Sequence, residues 1–291
     1  MSPHGQKFAL ASRRVVTAHG VKPAAVLVDG ERVVDVVAPD KIPAGYDVED
    51  LGELVLMPGL VDSHVHINEP GRTHWEGFET ATKAAAAGGI TTLADMPLNC
   101  IPVTTTLAAF KEKLAAIEGL LWMDCAFWGG VVPGNTAELE SMIDLGVVGF
   151  KCFLIHSGID EFPNVTESDL GSAMPVLASA GLPLLVHAEL EHGDQDQAVA
   201  DGDPREYRTF LSSRPHRWES KAIAMMVDLC RRHNCRVHIV HLSSSEALGA
   251  IRKAHDHALP FSVETCPHYL TLFAEDVPHY ASGEINAVGC A

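Results

Sequence analysis

From residue 59 onward, short apolar runs rich in β-branched residues alternate with longer helix-like runs, at a spacing of about 30 residues. We count seven such units, and their strand-like runs are 60–66, 90–95, 122–128, 147–153, 182–187, 236–241 and 260–265. Strands that alternate with helices are joined by crossover connections and form parallel sheets. The alternation therefore predicts an α/β fold and leaves two architectures open, a barrel and an open doubly wound sheet.

The barrel is the better of these two predictions. No Gly-x-Gly-x-x-Gly motif follows the first strand, as it would in the usual dinucleotide-binding sheet, and the units repeat as regularly as those of a (β/α)8 barrel. The count stops at seven, because the 21 residues after Leu270 contain no convincing eighth unit. We therefore expect a TIM-like (β/α)8 barrel that is incomplete at its C-terminal end, with strands 1–7 present and strand 8 missing.

The N-terminal segment has a different pattern. Its runs are short and strand-like, and helical periodicity is absent. Two of these runs, 25–28 and 31–37, flank the dipeptide Asp29-Gly30, which is typical of a tight hairpin turn. The sequence predicts a small β domain over residues 1–57 and the barrel over residues 58–291.

Composition narrows the classes of function. The net charge of −17, from 21 Lys and Arg against 38 Asp and Glu, argues against sequence-independent binding to nucleic acid or anionic membranes. No apolar leader follows Met1, and no apolar run approaches the roughly 18 residues of a membrane span. The seven cysteines are odd in number and lack Cys-x-x-Cys spacing, which is typical of reduced thiols. We expect a cytoplasmic protein. The negative charge does not exclude a small-molecule ligand that binds in a local pocket.

Polar residues close several of the apolar strands. The first strand ends in His64-x-His66, whose side chains share one face because alternate residues of a strand point the same way. Lys151, His187 and His241 lie at the ends of the fourth, fifth and sixth strands. The carboxyl ends of barrel strands meet at one face, where the chemistry of such barrels takes place. The pattern predicts a transition-metal site built from these five residues.

Each of these residues also has a simpler interpretation. A single histidine at a strand end is more often a hydrogen-bonded packing residue than a ligand, and we expect His238, on the other face from His241, to be one. His156 follows the fourth strand directly and could reach the pocket. Lys151 could extend to solvent. If it is buried, its amine becomes nucleophilic and can add carbon dioxide, giving a carbamate whose two oxygens can bridge two cations.

Longer segments carry a family resemblance. The run VDSHVHINEPGRTHWEGFETATKAAAAGGITTLADMPLNCIPVTT, residues 61–105, resembles the cyclic amidohydrolases of the amidohydrolase superfamily, which are metal-dependent hydrolases, and among them the allantoinases most. The match continues in order along the chain through residues 149–165, 184–190, 237–244 and 263–270.

The resemblance implies a binuclear centre with two Zn²⁺ ions, for which Co²⁺ or Mn²⁺ could substitute. By this resemblance His64 and His66 hold the first ion and His187 and His241 the second. Lys151, carboxylated on its Nζ (N6-carboxylysine), bridges both. A hydroxide shared by the metals would attack the cyclic amide of allantoin and open it to allantoate. Relatives of this kind often form tetramers, so a homo-oligomer is expected.

One position favours a ureide substrate. Dihydroorotases carry Arg two residues after the second histidine, where it pairs with the substrate carboxylate, and this chain has Asn68 there. Allantoin has no carboxylate, and an amide can hydrogen-bond a ureide instead. Asn68 and Asn99 are therefore candidates for substrate contacts. The dihydropyrimidinases and hydantoinases, together with the dihydroorotases, remain the alternatives.

The sequence also departs from the family pattern. The family's last ligand, an aspartate after strand 8 that also acts as general acid and base, has no counterpart before Ala291. The segment that completes the small N-terminal β-sandwich has none either. We therefore expect a truncated chain with impaired activity, since general acid–base help is typically worth about 10²–10⁴-fold. A non-catalytic regulatory or interaction relative is the alternative from another class.

Overall fold

A computed structural model describes residues 7–191, 203 and 206–272, apart from the side chain of Arg208. The chain divides into two compact units, with the division between Leu60 and Val61. The boundary predicted from the sequence falls three residues earlier.

The first unit is a small β-sheet. Its strands are β1 (Lys7–Thr17), β2 (Gly20–Asp29), β3 (Arg32–Val37), β4 (Asp47–Asp50) and β5 (Val55–Leu56). The sheet has the order β3-β2-β1-β4, and β5 pairs with β1. β2 and β3 are antiparallel and pair Asp29 with Arg32 around the tight turn, so the hairpin predicted at Asp29-Gly30 is present.

In the described residues, eight further strands lie at the seven strand positions predicted for the barrel, which we call staves. They are β6 (Leu60–Val65), β7 (Ile90–Asp95), β8 (Asp124–Phe127) with β9 (Gly129–Gly130) in the third stave, β10 (Phe150–Phe153), β11 (Leu184–His187), β12 (Val237–Ile239) and β13 (Phe261–Val263). The hydrogen-bonded orders are β6-β7-β8 and β13-β12-β11-β10-β9. The pairs β7–β8 and β9 through β13 are parallel, which confirms the predicted α/β fold.

Helices alternate with these strands. They are α1 (Phe78–Ala87), α2 (Leu107–Ala116), α3 (Thr136–Leu145), α4 (Glu167–Ala180), α5 (Tyr207–Ser212), α6 (His216–His233) and α7 (Leu248–Asp256). A long polar segment, residues 189–214, separates β11 from α6. It contains α5, and its residues 192–202, 204 and 205 lie outside the described part. The predicted absence of an eighth stave concerns residues 273–291, which also lie outside it. Among the described helices, none combines the length and the apolar character that a membrane crossing requires.

The strands β10 and β11 bury both of their faces. Leu184 and Val186 of β11 pack into a large apolar cluster that includes Met226 of α6. Leu185, between them, belongs to a second cluster together with Phe153. Alternate residues of a strand point to opposite faces. One set of side chains therefore packs between the strands and the helices, and the other set lies on the opposite face of the strands. Lys151 pairs with Leu185 in the register of β10 and β11 and so lies on that second face.

Candidate metal centre

The five predicted ligands are brought together. His64 lies 5.5 Å from His66 and 5.6 Å from His241, measured between ring centroids. His187 lies 4.9 Å from His241. These side chains come from β6, β11 and the residues after β12, so the strand-end rule correctly predicted their convergence. Their role as metal ligands stays a prediction.

Lys151 is buried beside these imidazoles. Its side chain is 1% exposed, and its Nζ lies 4.9 Å from the centroid of the Phe153 ring. The Phe153 ring in turn stacks on His187, with centroids 4.8 Å apart and 19° between the ring planes. The alternative in which Lys151 extends to solvent is therefore wrong.

Burial keeps the imidazoles neutral at physiological pH. Burial, with the charges of His64 and Lys151, lowers the pKa of His66 to about 3. Burial and the Lys151 charge lower the pKa of His241 to about 2, and burial also lowers the pKa of His187. A neutral imidazole offers a lone pair, which is the form that binds a metal ion.

Two histidine nitrogens of the site are buried and have no hydrogen-bond partner among the described residues. They are Nδ1 of His66 and Nδ1 of His187. Unsatisfied polar atoms in a protein interior are rare and costly, and these two would be satisfied by bound cations. On this observation and the chemistry of the donors, the residues fit a metal centre.

The described residues contain no preformed group of three or more His, Cys, Asp or Glu side chains suited to one metal ion. The predicted centre does not require one. Each ion would take only two imidazoles, and the shared oxygens would come from a carboxylated Lys151, which adds a ligand only after the modification.

Glu264, one residue beyond β13, was missed by sequence reasoning. One of its carboxylate oxygens lies 2.6 Å from Nδ1 of His64 and the other lies 3.3 Å from Nε2 of His238. Nδ1 of His238 lies 2.8 Å from Oγ of Ser262. His238, expected to be a packing residue, is thus also linked to the site through Glu264. A polar residue near the end of an apolar strand was the available signal, since Glu264 lies in the predicted run 260–265 and a polar strand end identified His187.

Glu189 contacts the second half of the site. Its carboxylate lies 3.2 Å from Nε2 of His187 and accepts a hydrogen bond of 2.9 Å from Arg214. Burial on its own raises the pKa of Glu189, but the hydrogen bonds with His187 and Arg214 lower it overall. The carboxylate occupies one nitrogen of His187 and leaves the other, Nδ1, available.

The two substrate candidates, Asn68 and Asn99, lie in the segments that follow β6 and β7. Asn68, two residues after His66, is buried with 8% exposure, and its backbone N–H donates to the carbonyl of Glu76 over 3.1 Å. Asn99 has a left-handed backbone with φ 74°, and its carbonyl accepts a bond of 3.1 Å from Arg72. Their roles in substrate contacts stay predictions. His156 is bound within its own loop, 3.3 Å from Asp160.

Comparison with known proteins agrees with this architecture. The model of the amidohydrolase family matches residues 55–279, and the chain belongs to that family. An allantoinase of Streptomyces avermitilis is 50% identical over 95% of this chain and 62% of its own length. An allantoinase of Saccharomyces cerevisiae is 48% identical over 81% of this chain and 52% of its own length. The chain thus spans little more than half the length of these relatives.

Solved structures of similar fold superpose on most of this chain. An L-hydantoinase (dihydropyrimidinase) from Arthrobacter aurescens superposes with a TM-score of 0.84 at 32% identity, covering 92% of this chain and 60% of that one. A dihydropyrimidinase from Brevibacillus agri superposes with a TM-score of 0.76 at 27% identity, covering 92% of this chain and 59% of that one.

Proposed function

We propose that this chain carries the metal-binding part of a cyclic amidohydrolase that opens allantoin to allantoate. The observation that carries the proposal is the convergence of four imidazoles beside the buried Lys151, three of which, those of His66, His187 and His241, have pKa values lowered by burial. The names of the relatives, allantoinases at 48–50% identity, support the substrate.

The proposed ligands divide into two pairs. His64 and His66 would hold one divalent cation, and His187 and His241 would hold the other. Bound at these positions, two cations would supply Lewis acidity toward the ring carbonyl and an ionised water at neutral pH. Zn²⁺ is the proposed metal, and Co²⁺ or Mn²⁺ suit the same ligands.

Lys151 would serve as the bridge. The Lys151 ammonium would first lose a proton to water. The neutral amine would then form a bond from Nζ to carbon dioxide and lose a second proton, so the buried cation becomes a carbamate anion. The surroundings support the change. The positive charge of Lys151 lowers the pKa of three neighbouring imidazoles, and an anion in its place would make these imidazoles more basic.

The site's remaining residues support a neutral, amide-rich substrate. Asn68 lies buried two residues after His66 and offers both a donor and an acceptor. A ureido group presents matching N–H and C=O groups, whereas a carboxylate would require a cation at this position. Asn99 is the second candidate for such contacts.

A hydantoinase is the second candidate, favoured by the superposition on the Arthrobacter enzyme. The two functions differ only in the arm that the ring carries, because allantoin is a hydantoin with a ureido substituent. A comparison of kcat/KM for allantoin with that for hydantoins lacking the ureido arm separates them. A preference for allantoin is expected if Asn68 contacts that arm, and Asn68→Ala should then reduce the preference.

The test of the proposal uses the 291-residue chain with metal analysis and an allantoin assay. We expect bound zinc, with ring opening that His241→Ala abolishes together with part of the metal, because the second ion loses one of its two imidazoles. His19→Ala, in an exposed turn of the first unit, is the matched control and should change neither. Turnover that survives His241→Ala, or a folded chain without bound metal and without turnover, would contradict the proposal.

We also propose a cytoplasmic location and a homo-oligomeric, tetrameric assembly. The location is supported by the six described cysteines, all of which are free thiols, as is usual in a reducing compartment. Sedimentation analysis of the purified chain tests the assembly.

A further inference from the structure

A buried ion pair lies behind the first two histidines of the site. Asp95, the last residue of β7, has no exposed surface, and Lys113 of α2 is 1% exposed. The Lys113 ammonium donates to one carboxylate oxygen of Asp95. It also donates to the carbonyl of Met96 over 3.4 Å and lies 6.0 Å from the centroid of the Phe78 ring.

The second oxygen of Asp95 reaches the metal-binding segment. It accepts a hydrogen bond of 2.8 Å from the backbone N–H of Ile67, the residue directly after His66. Neighbouring backbone bonds run the same way, since the N–H of Met96 donates to the carbonyl of Val65 over 2.7 Å. Through its two oxygens, the Asp95 carboxylate therefore links Lys113 of α2 to the backbone N–H of Ile67.

Such a pair is an expensive way to stabilise a fold. Two charges lose their hydration in the interior, and a well-packed apolar pair of similar volume is often as stable or more so. Burial raises the pKa of Asp95 to about 6, against the opposing charge of Lys113. Burial alone would lower the pKa of Lys113, yet Asp95 and Cys100 raise it overall. The pair is thus weak evidence for net stability, and its geometry points to another role.

We propose that Asp95, oriented by Lys113, is a positioning residue that fixes the Ile67 peptide and thereby the direction in which His66 and Asn68 point. The inference rests on the proposed metal centre. The described hydrogen bonds of Asp95 go to Lys113 and to the Ile67 N–H, so it would act through the backbone that carries two of the site's residues.

Geometry distinguishes this role from that of a structural ion pair. The two oxygens of Asp95 have different partners, so the pairing with Lys113 and the contact with Ile67 can be removed separately. If only the ion pair mattered, replacing both charges would restore a normal protein whichever neutral residue stood at position 95. If the contact with Ile67 matters, an acceptor must remain at position 95.

The experiment compares two double variants of the full 291-residue chain. Asp95→Asn/Lys113→Met removes both charges and keeps a side-chain oxygen for the Ile67 N–H. Asp95→Leu/Lys113→Met removes both charges and the acceptor and keeps the branched shape of the side chain, although leucine is larger. Asp95→Ala/Lys113→Met, which also lacks the acceptor, replaces the leucine variant if that one does not fold.

Two measurements are made on each variant. Hydrogen exchange of the Ile67 amide should be unchanged in the asparagine variant and faster by about tenfold or more in the leucine variant, at equal global stability in urea. The affinity for added Co²⁺, followed by its visible absorption, should fall by about 10–100-fold in the leucine variant alone, as it does when other outer contacts of metal ligands are lost.

Equal Ile67 exchange and equal Co²⁺ affinity in the two double variants would overturn the inference. Failure of the proposed function has a different signature, because the wild-type chain would then bind no Co²⁺ at all. The exchange measurement still tests the Asp95–Ile67 contact in that case.

Discussion

Glu264 shows how a single carboxylate can prepare a ligand. It holds Nδ1 of His64 at 2.6 Å, which leaves Nε2 of that ring to face a metal ion. Burial on its own raises the pKa of Glu264, but the hydrogen bonds with His238 and His64 hold it well below its usual range. A carboxylate on the outer nitrogen of a ligand histidine fixes the ring orientation and increases its basicity.

We therefore expect Glu264→Gln to lower the affinity for Zn²⁺ by about 10–100-fold. The amide keeps the size of the side chain but loses the negative charge that supports His64. Competition with a chromophoric chelator measures the affinity directly. Glu246→Gln is the matched control, because Glu246 faces His216 at 3.5 Å on the surface, where both side chains are 60% exposed. Equal affinities in wild type and Glu264→Gln would rule out this role.

The sequence predicted residues of the site whose position follows from their own strand. His187 and His241 could be assigned because each one closes an apolar strand, and barrel geometry brings strand ends together. Glu264 and Asp95 also follow or close strands, but their partners are 200 and 28 residues away along the chain. Such contacts depend on side-chain packing, which no local pattern encodes.

At the scale of elements, local chemistry decides where strands and helices end. The sixth strand was predicted to run through His241, but β12 stops at Ile239. His241 has a φ of 40°, which is incompatible with a strand. Helix α4 has strong signals at both of its ends, a capping box between Thr166 and Asp169 and a left-handed Gly181.

The third stave depends on glycine because two phenyl rings approach its backbone. A Cβ at Gly129 would lie 2.6 Å from the Phe150 ring, and one at Gly130 would lie 2.4 Å from the Phe162 ring. Both distances are far shorter than real Cβ contacts. The strand β9 can therefore lie this close to its neighbours only without side chains.

We predict that Gly130→Ala destabilises the protein by about 1–3 kcal/mol, because the Phe162 ring must leave its position. Urea unfolding monitored by circular dichroism gives the free energy of unfolding. Gly171→Ala serves as the control, since a Cβ there, in the middle of α4, meets nothing within 4 Å and should stabilise by up to about 1 kcal/mol. Similar stabilities for the two variants would contradict the packing argument.

At the scale of the whole molecule, the contact between His64 and Glu264 joins the first stave to the seventh. β6 and β13 lie in different hydrogen-bonded sheets, so this side-chain contact links the two ends of the described strand series. The overall α/β architecture could be predicted because seven repeated units leave few alternatives. The side chains that connect its two ends could not be predicted. The alternation along a strand specifies the face on which a side chain lies, but not the residue that it contacts.

The buried histidines make stability depend on pH. In the unfolded chain their pKa values are near 6.5 and in the fold those of His66 and His241 are about 3 and 2. Below pH 6.5 the unfolded state therefore binds protons that the folded state does not, and stability is lost as pH falls from 6.5 toward 3. Each such histidine contributes up to about 1.4 kcal/mol per pH unit.

We expect the metal-free chain to lose stability steeply between pH 7 and pH 5, as measured by urea unfolding at each pH. His66→Asn should reduce the slope of the free energy of unfolding against pH by up to about 1.4 kcal/mol per pH unit, because it removes one group that gains a proton on unfolding. His216→Asn, at a largely exposed position, should leave the slope as it is. A slope that is the same with and without His66 would contradict the assignment.

The backbone at His241 also shapes how the site can change by mutation. Few residues other than glycine accept a φ of 40°, and Asn, Asp and His are among those that do most readily. The codons of asparagine and of aspartate differ from those of histidine by one base. Random mutagenesis of the gene should therefore reach folded variants at this position mainly through asparagine and aspartate, which preserve the loop while replacing an imidazole by oxygen donors. Position 241 is thus a short genetic path from a site that prefers zinc toward one that prefers harder cations.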